Sequence, residues 1–255
     1  FGKDTSVKNL LDEGYDAIFI GVGAHKAATM GLEGENEIEG IFRGIDFLRE
    51  VEMGSAPKLH GTVAVIGGGN TAIDAARTAL RYGADKVKII YRRSIKEMPA
   101  HHEEIEAAEK EGVEILFLTN PKSIVSENKK LKGFECLQMK LESTKPGERP
   151  QPVPVPGSEF IVECDFAIGA IGQKVDSNFL SIDKNVNVEK WGTVKVNPKS
   201  LESTIPGVFA GGDVVTGPLT AISSIAQGKQ AANAIMGYLE KGAPNLIYKP
   251  FLSFR

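Results

Sequence analysis

Gly67, Gly69 and Ala72 stand in the spacing G-x-G-x-x-A within "VAVIGGGNTAIDAARTALRYG". That spacing suits a dinucleotide. The first glycine permits a tight turn, the second lets a pyrophosphate approach the backbone, and the small third residue lets a helix lie close to a strand. The anion would then face unpaired N–H groups at the positive end of the helix. At the end of the next apolar run come Tyr91, Arg92 and Arg93, with no acid among them. An NAD site places Asp or Glu there to bind the ribose 2′-hydroxyl. An arginine pair suits a 2′-phosphate instead, through charge-assisted, bidentate hydrogen bonds. These residues point to NADPH rather than NADH.

The elements that would position them are legible around the motif. Thr62 to Ile66 is a β-rich run, and Ile73, Ala76 and Leu80 recur at helical spacing. "KVKIIYRRS" supplies the second strand, so the glycines sit inside a complete βαβ unit. A helix is expected from Glu103 to Glu111, stopped by Gly112, then a strand from Val113 to Leu118. "KSIVSEN", a Lys-Lys turn and "GFECLQMKLES" continue as strands. A proline-rich loop from Lys145 to Gly157 leads into "EFIVECDFAIGAIG". The expectation is a small antiparallel meander inserted before the chain returns to the sheet. His101 and His102 are adjacent and do not share a helix face, so they make a poor metal pair and are expected to face solvent.

Two flanks echo each other. "YDAIFIGVGAHKA", with a buried strand from Ala17 to Ile20, and "CDFAIGAIGQKVDSNFL" both run from Asp through an apolar strand to a small-Gly turn. This repeat suggests two nucleotide-binding units. Further on, "WGTVKVN" reads as turn and strand. "IPGVFAGGDVVTGPLTAISSIAQGKQAANAIMGYLEKG" reads as strand, Gly-Gly-Asp, loop and long helix. Ile222, Ile225, Ala226, Ala232, Ile235, Met236 and Leu239 form an apolar stripe expected to be core. Asp213 is placed to accept a hydroxyl hydrogen bond, and the turn from Thr220 to Ile222 offers free backbone N–H groups.

Composition excludes several classes. A net charge of −3 over 255 residues gives no basic stripe to track nucleic acid. No apolar run approaches the roughly 20 residues needed to span a bilayer, and "FGKDTSVKNL" lacks the apolar core of a signal peptide. The two cysteines, Cys136 and Cys164, are too few and too far apart for a disulfide or metal framework. They fit reduced thiols in a cytoplasmic protein. Neither C-x-x-C nor an iron–sulfur ligand set is present.

The combination "GGGNTAIDAARTAL", "YRRS…EMPA", "AIGAIGQ" and "GVFAGGDVVTGPLTAI" resembles the glutamate synthase small-subunit (beta chain) family of NADPH-linked flavin and iron–sulfur oxidoreductases. The resemblance covers nearly the whole chain. It implies an α/β fold of two Rossmann-like units, with an NADPH domain (57–174) inserted between the end of a first FAD segment (1–56) and a second FAD segment (175–255). It assigns the NADPH loop to Gly67, Gly69, Asn70, Thr71 and Ala72, and the 2′-phosphate to Arg92 and Arg93. It sets Ala167 to Gln173, with Gly172 and Gln173 at its end, near the nicotinamide. Asp213, after Gly212, would bind the ribityl chain of FAD, and the backbone of Thr220, Ala221 and Ile222 would face the flavin ring.

The family's first glycine-rich loop and its cysteine-rich iron–sulfur segment are not in this sequence, which starts at Phe1 without Met. The expectation is the C-terminal portion of a longer protein, with NADPH binding intact, FAD binding weak or absent in this piece, and iron–sulfur clusters elsewhere. The resemblance implies hydride transfer from NADPH to FAD, and electrons passed to iron–sulfur centres or to an electron-transfer or amidotransferase partner subunit. Two alternatives stand beside it: a large-subunit-type ferredoxin:NADP oxidoreductase, and a nucleotide-binding module without turnover. A disulfide reductase would need a C-x-x-C, which is absent. The chemistry would belong to the cofactors. Gln173, Asn70 and Glu104 are polar residues able to position a ring or ribose, and no side chain is assigned as acid, base or nucleophile.

Overall fold

The computed structural model describes residues 5–143, 149–176, 186–189 and 192–242. The chain forms two compact units, one of residues 1–26 with 173–255 and one of residues 27–172. The second is thus inserted into the first.

The inserted unit is built on a five-stranded parallel sheet. Its strands are β3 (Ile41–Arg43), β4 (Thr62–Ile66), β5 (Lys86–Ile90), β6 (Glu114–Leu116) and β10 (Phe166–Gly169), in the order β3-β10-β4-β5-β6. Successive side chains of a strand point to opposite faces, and a parallel sheet covered on both faces reads as a continuous apolar run. β4 illustrates this. Val63 and Val65 join Ile89 and Ile168 in a core with α2 (Gly44–Glu52), α3 (Asn70–Arg81) and α4 (His102–Lys110), where Phe47, Ile73 and Ile105 are buried. Ala64 and Ile66 face the other way, into a core with Leu131, Phe134, Cys136, Val162 and Cys164. Leu131, Phe134, Cys136 and Val162 belong to an antiparallel sheet of β7 (Thr119–Glu127), β8 (Lys130–Glu142) and β9 (Gln151–Glu163), and Cys164 directly follows it. Helices cover one face of the parallel sheet, and the inserted meander covers the other.

Two expectations change here. The unit begins at Ala27, not at residue 57, because β3 pairs with β10 and α2 packs into the same core as α3. And residues 151–157, expected as loop, are strand; residues 144–148 lie outside the described ones. Pro152, Pro154 and Pro156 alternate along β9, the edge strand, with Val153 opposite Lys140 and the prolines at the intervening positions. Alternate residues direct their N–H groups to the same side, so prolines at every second position leave one side of an edge strand without donors and the paired side intact.

The outer unit contains α1 (Val7–Asp12), capped by the Ser6 hydroxyl, which accepts from Asn9 N–H at 3.0 Å. β1 (Ile18–Ile20) pairs in parallel with β12 (Val208–Ala210), and α5 (Asp213–Thr216) and α6 (Ala221–Gly242) follow. The chain passes between units at β2 (Lys26–Ala27) and again at Gly172, before β11 (Gln173–Lys174). Val7, Ile20, Val208, Ala210 and Val214 form the outer unit's core. Phe19, expected to be buried, is 44% exposed.

The apolar stripe of α6 is not core either. Ile222 is 79% and Ile225 60% exposed, while Ala231 is buried. A helix of 22 residues is roughly 33 Å long, whereas the sheet of β1 and β12 has two strands of three residues each, each roughly 10 Å long. So small a sheet covers only part of the helix. The strand expected at "WGTVKVN" reduces to a bridge between Val188 and Val194, and Trp191 lies outside the described residues. Among the described residues, no helix is long and apolar enough to cross a membrane.

Candidate dinucleotide site

At the carboxyl ends of β4, β5 and β10 the inserted unit holds a cavity of about 450 Å³. This is where open α/β sheets bind ligands, because the βα turns there leave helix N-termini facing a crevice. Gly67, Gly68, Gly69 and Thr71 line it on one side, and Ala170 and Gly172 contribute from the segment after β10.

The three glycines differ in what requires them. A Cβ on Gly67 would stand 2.2 Å from the Ala170 carbonyl oxygen, and Gly67 has φ +145°. Gly67 is therefore needed by the fold, for the close approach of the β4 and β10 ends. A Cβ on Gly68 would lie 2.5 Å from the Tyr91 ring. A Cβ on Gly69 would meet nothing within 4 Å, and its backbone (φ −89°, ψ 176°) is open to any residue. The space beside Gly69 is open. A pyrophosphate against the first turn of α3 fits that space.

Ala72 is fully buried beneath the loop. Asn70 binds protein: its Oδ1 accepts from His101 N–H at 3.0 Å, and Ala100 N–H donates to the Gly68 carbonyl at 3.2 Å. These bonds draw the segment after β5 back across the glycine loop. Its first turn is set by Ser94, whose N–H and hydroxyl both donate to the Glu97 carboxylate at 3.2 and 2.6 Å. The Ser94 hydroxyl is the largest cause holding the Glu97 carboxyl below its usual value.

The other side of the cavity is cationic. Arg92, Arg93 and Arg149 line it, and among the described residues no Asp or Glu does. Arg92 is exposed, whereas Arg93 is 8% exposed and donates from Nε to the Pro150 carbonyl at 3.1 Å. Burial, then the neighbouring Arg149 and Arg92, pull the Arg93 guanidinium below its usual pKa. Among the described residues none of the three forms an ion pair. Such a concentration of one charge is stabilised by a bound anion.

Arg149 and Gly68 are absent from the sequence-level assignment. Arg149 arrives from just before β9, and no local pattern marks it. Tyr91 ties it in: the Tyr91 hydroxyl accepts from Arg149 Nη2 at 3.0 Å and donates to the Glu97 carbonyl at 2.7 Å.

The remaining expected residues lie in the outer unit. Gln173 is in β11. Gly212 follows β12 at φ +76°, and Gln227 Oε1 accepts from its N–H at 2.6 Å. The Asp213 carboxylate accepts from Leu219 N–H at 3.2 Å, closing the loop before α6. Thr220, Ala221 and Ile222 are exposed at the start of α6, where the Thr220 hydroxyl accepts from Ser223 N–H at 3.3 Å. Both cysteines are free and buried, and burial pushes each thiol up to about 12. His101 and His102 are exposed, and no metal-binding cluster exists among the described residues.

The family model for pyridine nucleotide-disulphide oxidoreductases matches residues 2–228. The chain belongs to that family. Within this pyridine nucleotide-disulphide oxidoreductase family the chain is 48% identical over 243 residues to the NADP(+)-dependent formate dehydrogenase subunit beta of Moorella thermoacetica, covering 94% of this chain and 34% of that one. It is 42% identical to the NADPH-Fe(3+) oxidoreductase subunit beta of Geobacter sulfurreducens, covering 94% and 39%. It is 32% identical to the glutamate synthase [NADPH] small chain of Escherichia coli, covering 94% and 53%, in agreement with the resemblance drawn from the motifs. The chain thus spans little more than a third of the first two relatives. Mycobacterium tuberculosis FprA in complex with NADPH has the same fold, with TM-score 0.77 at 17% identity, covering 98% of this chain and 69% of that one.

Proposed function

We propose that this chain binds NADPH in the cavity of its inserted unit and orients it for hydride transfer to FAD, with electrons passing on to iron–sulfur centres or a partner subunit. The observation that carries the reading is the pairing, in one cavity, of an open glycine backbone at Gly69 with Arg92 and Arg93 and, among the described residues, no carboxylate. The names of the relatives, formate dehydrogenase with NADP(+), Fe(3+) oxidoreductase and glutamate synthase with NADPH, support it, as do their designations as beta subunits and small chains.

When bound, the nicotinamide supplies a hydride and the flavin accepts it. The residues of the chain bind and align. Backbone N–H groups at the start of α3 receive the pyrophosphate, and Gly69 lets it come close. Arg92 and Arg93 receive the 2′-phosphate. Ala170, Ile171 and Gly172, which follow β10 beside the glycine loop, border the nicotinamide half. In the outer unit, Asp213 receives a ribityl hydroxyl, and the exposed N–H groups from Thr220 to Ile222 face the flavin ring. The full assembly is a cytoplasmic oxidoreductase, and ferredoxin:NADP chemistry remains the competing assignment for its acceptor.

The test is anaerobic mixing of the complete protein with NADPH or NADH while flavin absorbance is followed. Rapid bleaching by NADPH and slow bleaching by NADH supports the reading. No bleaching by either nucleotide sinks it.

A further inference from the structure

We propose that Arg149, carried in at the edge of the antiparallel sheet, is a third 2′-phosphate-binding residue and a determinant of NADP over NAD. This rests on the dinucleotide reading of the cavity and goes beyond it, because neither the glycine motif nor the arginine pair after β5 includes Arg149.

Arg149 lines the same cavity as Arg92 and Arg93. A guanidinium has five N–H donors in a rigid fork. The two on Nη2 are taken by the Tyr91 hydroxyl, at 3.0 Å, and the Glu97 carbonyl. The donors on Nε and Nη1 have no partner among the described residues. One edge of the fork is therefore anchored, and the other is left for a ligand. Anchoring reduces the rotamer entropy lost on binding.

The sheet that brings Arg149 is itself fastened to the end of β5. Thr119 N–H donates to the Tyr91 carbonyl at 3.0 Å and Leu118 N–H to the Arg93 carbonyl at 3.1 Å. Arg93 Nε reaches back to the Pro150 carbonyl. Both sides of the cationic cluster are thus tied to one backbone frame, and like charges gathered in this way gain most from a dianionic group. A ribose 2′-phosphate is the part of NADPH that carries one and that NADH lacks. The inserted sheet, on this view, does more than cover the parallel sheet: it completes the specificity pocket.

The experiment is calorimetry on the complete protein with four ligands: NADP+, NAD+, 2′,5′-ADP and 5′-AMP. In Arg149→Met, NADP+ and 2′,5′-ADP should weaken by roughly 10- to 100-fold, the cost of a charged hydrogen bond, while NAD+ and 5′-AMP change by less than about twofold. Arg149→Lys keeps the charge and loses the fork, so it should retain part of the preference; it also provides the test should Arg149→Met not fold. Tyr91→Phe, which removes the anchor and not the charge, should cost less than Arg149→Met and in the same ligands. Equal losses for phosphorylated and unphosphorylated ligands would make Arg149 a structural staple and overturn the proposal, as would unchanged affinities. Failure of the underlying reading has a different signature: the unaltered protein itself would bind NADP+ no better than NAD+.

Discussion

A Cβ on Gly68 would lie 2.5 Å from two carbons of the Tyr91 ring, so the middle residue of the glycine loop is fixed by a side chain at the end of the neighbouring strand. The motif leaves that position open. The same ring holds the hydroxyl that accepts from Arg149 and donates to Glu97, so one tyrosine couples the glycine loop to the cationic wall. Gly68→Ala should displace the ring, with an overpacking cost of about 1–3 kcal/mol. Denaturant titration should show this loss, and NADP+ affinity should fall with it.

Gly67 and Gly69 should respond oppositely to the same substitution. Gly67→Ala brings a Cβ to 2.2 Å from the Ala170 carbonyl, and thermal unfolding should show a clear drop in Tm. Gly69→Ala finds open space and should leave Tm nearly unchanged while nucleotide affinity falls. A Gly69→Ala protein that binds NADP+ normally would remove the pyrophosphate from this loop.

The βαβ core was legible in the sequence because its signals are local. Thr62–Ile66 and the helix bearing Ile73 and Ala76 announce themselves by period. What escaped depends on distant partners. The need for Gly68 comes from Tyr91, and Arg149 joins Arg92 and Arg93 only through the fold. Prolines 152, 154 and 156 suggested a loop because the sequence does not say that β9 is an edge strand. The stripe of α6 suggested core because period reports a face and not what covers it: Ile222 and Ile225 are exposed. Residues 27–56 join the inserted unit through β3, whose partner β10 lies more than a hundred residues on.

Cys136 and Cys164 should be inert. Burial pushes both thiols from 9.0 up to about 12, and the thiolate is the reactive form. Alkylation at pH 8 should be negligible in the native protein and complete in denaturant. A folded-state pKa raised above the unfolded value means that the native state retains protons the unfolded chain has lost. Stability should therefore be unaffected below pH 9 by these groups, and should decline between pH 9 and about 12. Ready native alkylation at pH 8 would contradict the burial.

Asp213→Ala should lower FAD content in the complete protein and leave NADP+ affinity intact, because Asp213 and the glycine loop lie in different units. Flavin absorbance after desalting, together with NADP+ calorimetry on the same sample, checks both halves. Undiminished flavin would remove Asp213 from the ribityl site.

The central claim is that Arg92 and Arg93 receive a 2′-phosphate. The most direct measurement is the ratio of NADP+ to NAD+ dissociation constants before and after Arg92→Ala and Arg93→Ala. Each substitution should weaken NADP+ by about 1.5–3 kcal/mol, the value of a charged hydrogen bond, with NAD+ little affected, so that the ratio collapses toward one. If both nucleotides weaken equally, or if NAD+ is preferred from the start, the cationic wall does not read the phosphate and the claim is wrong.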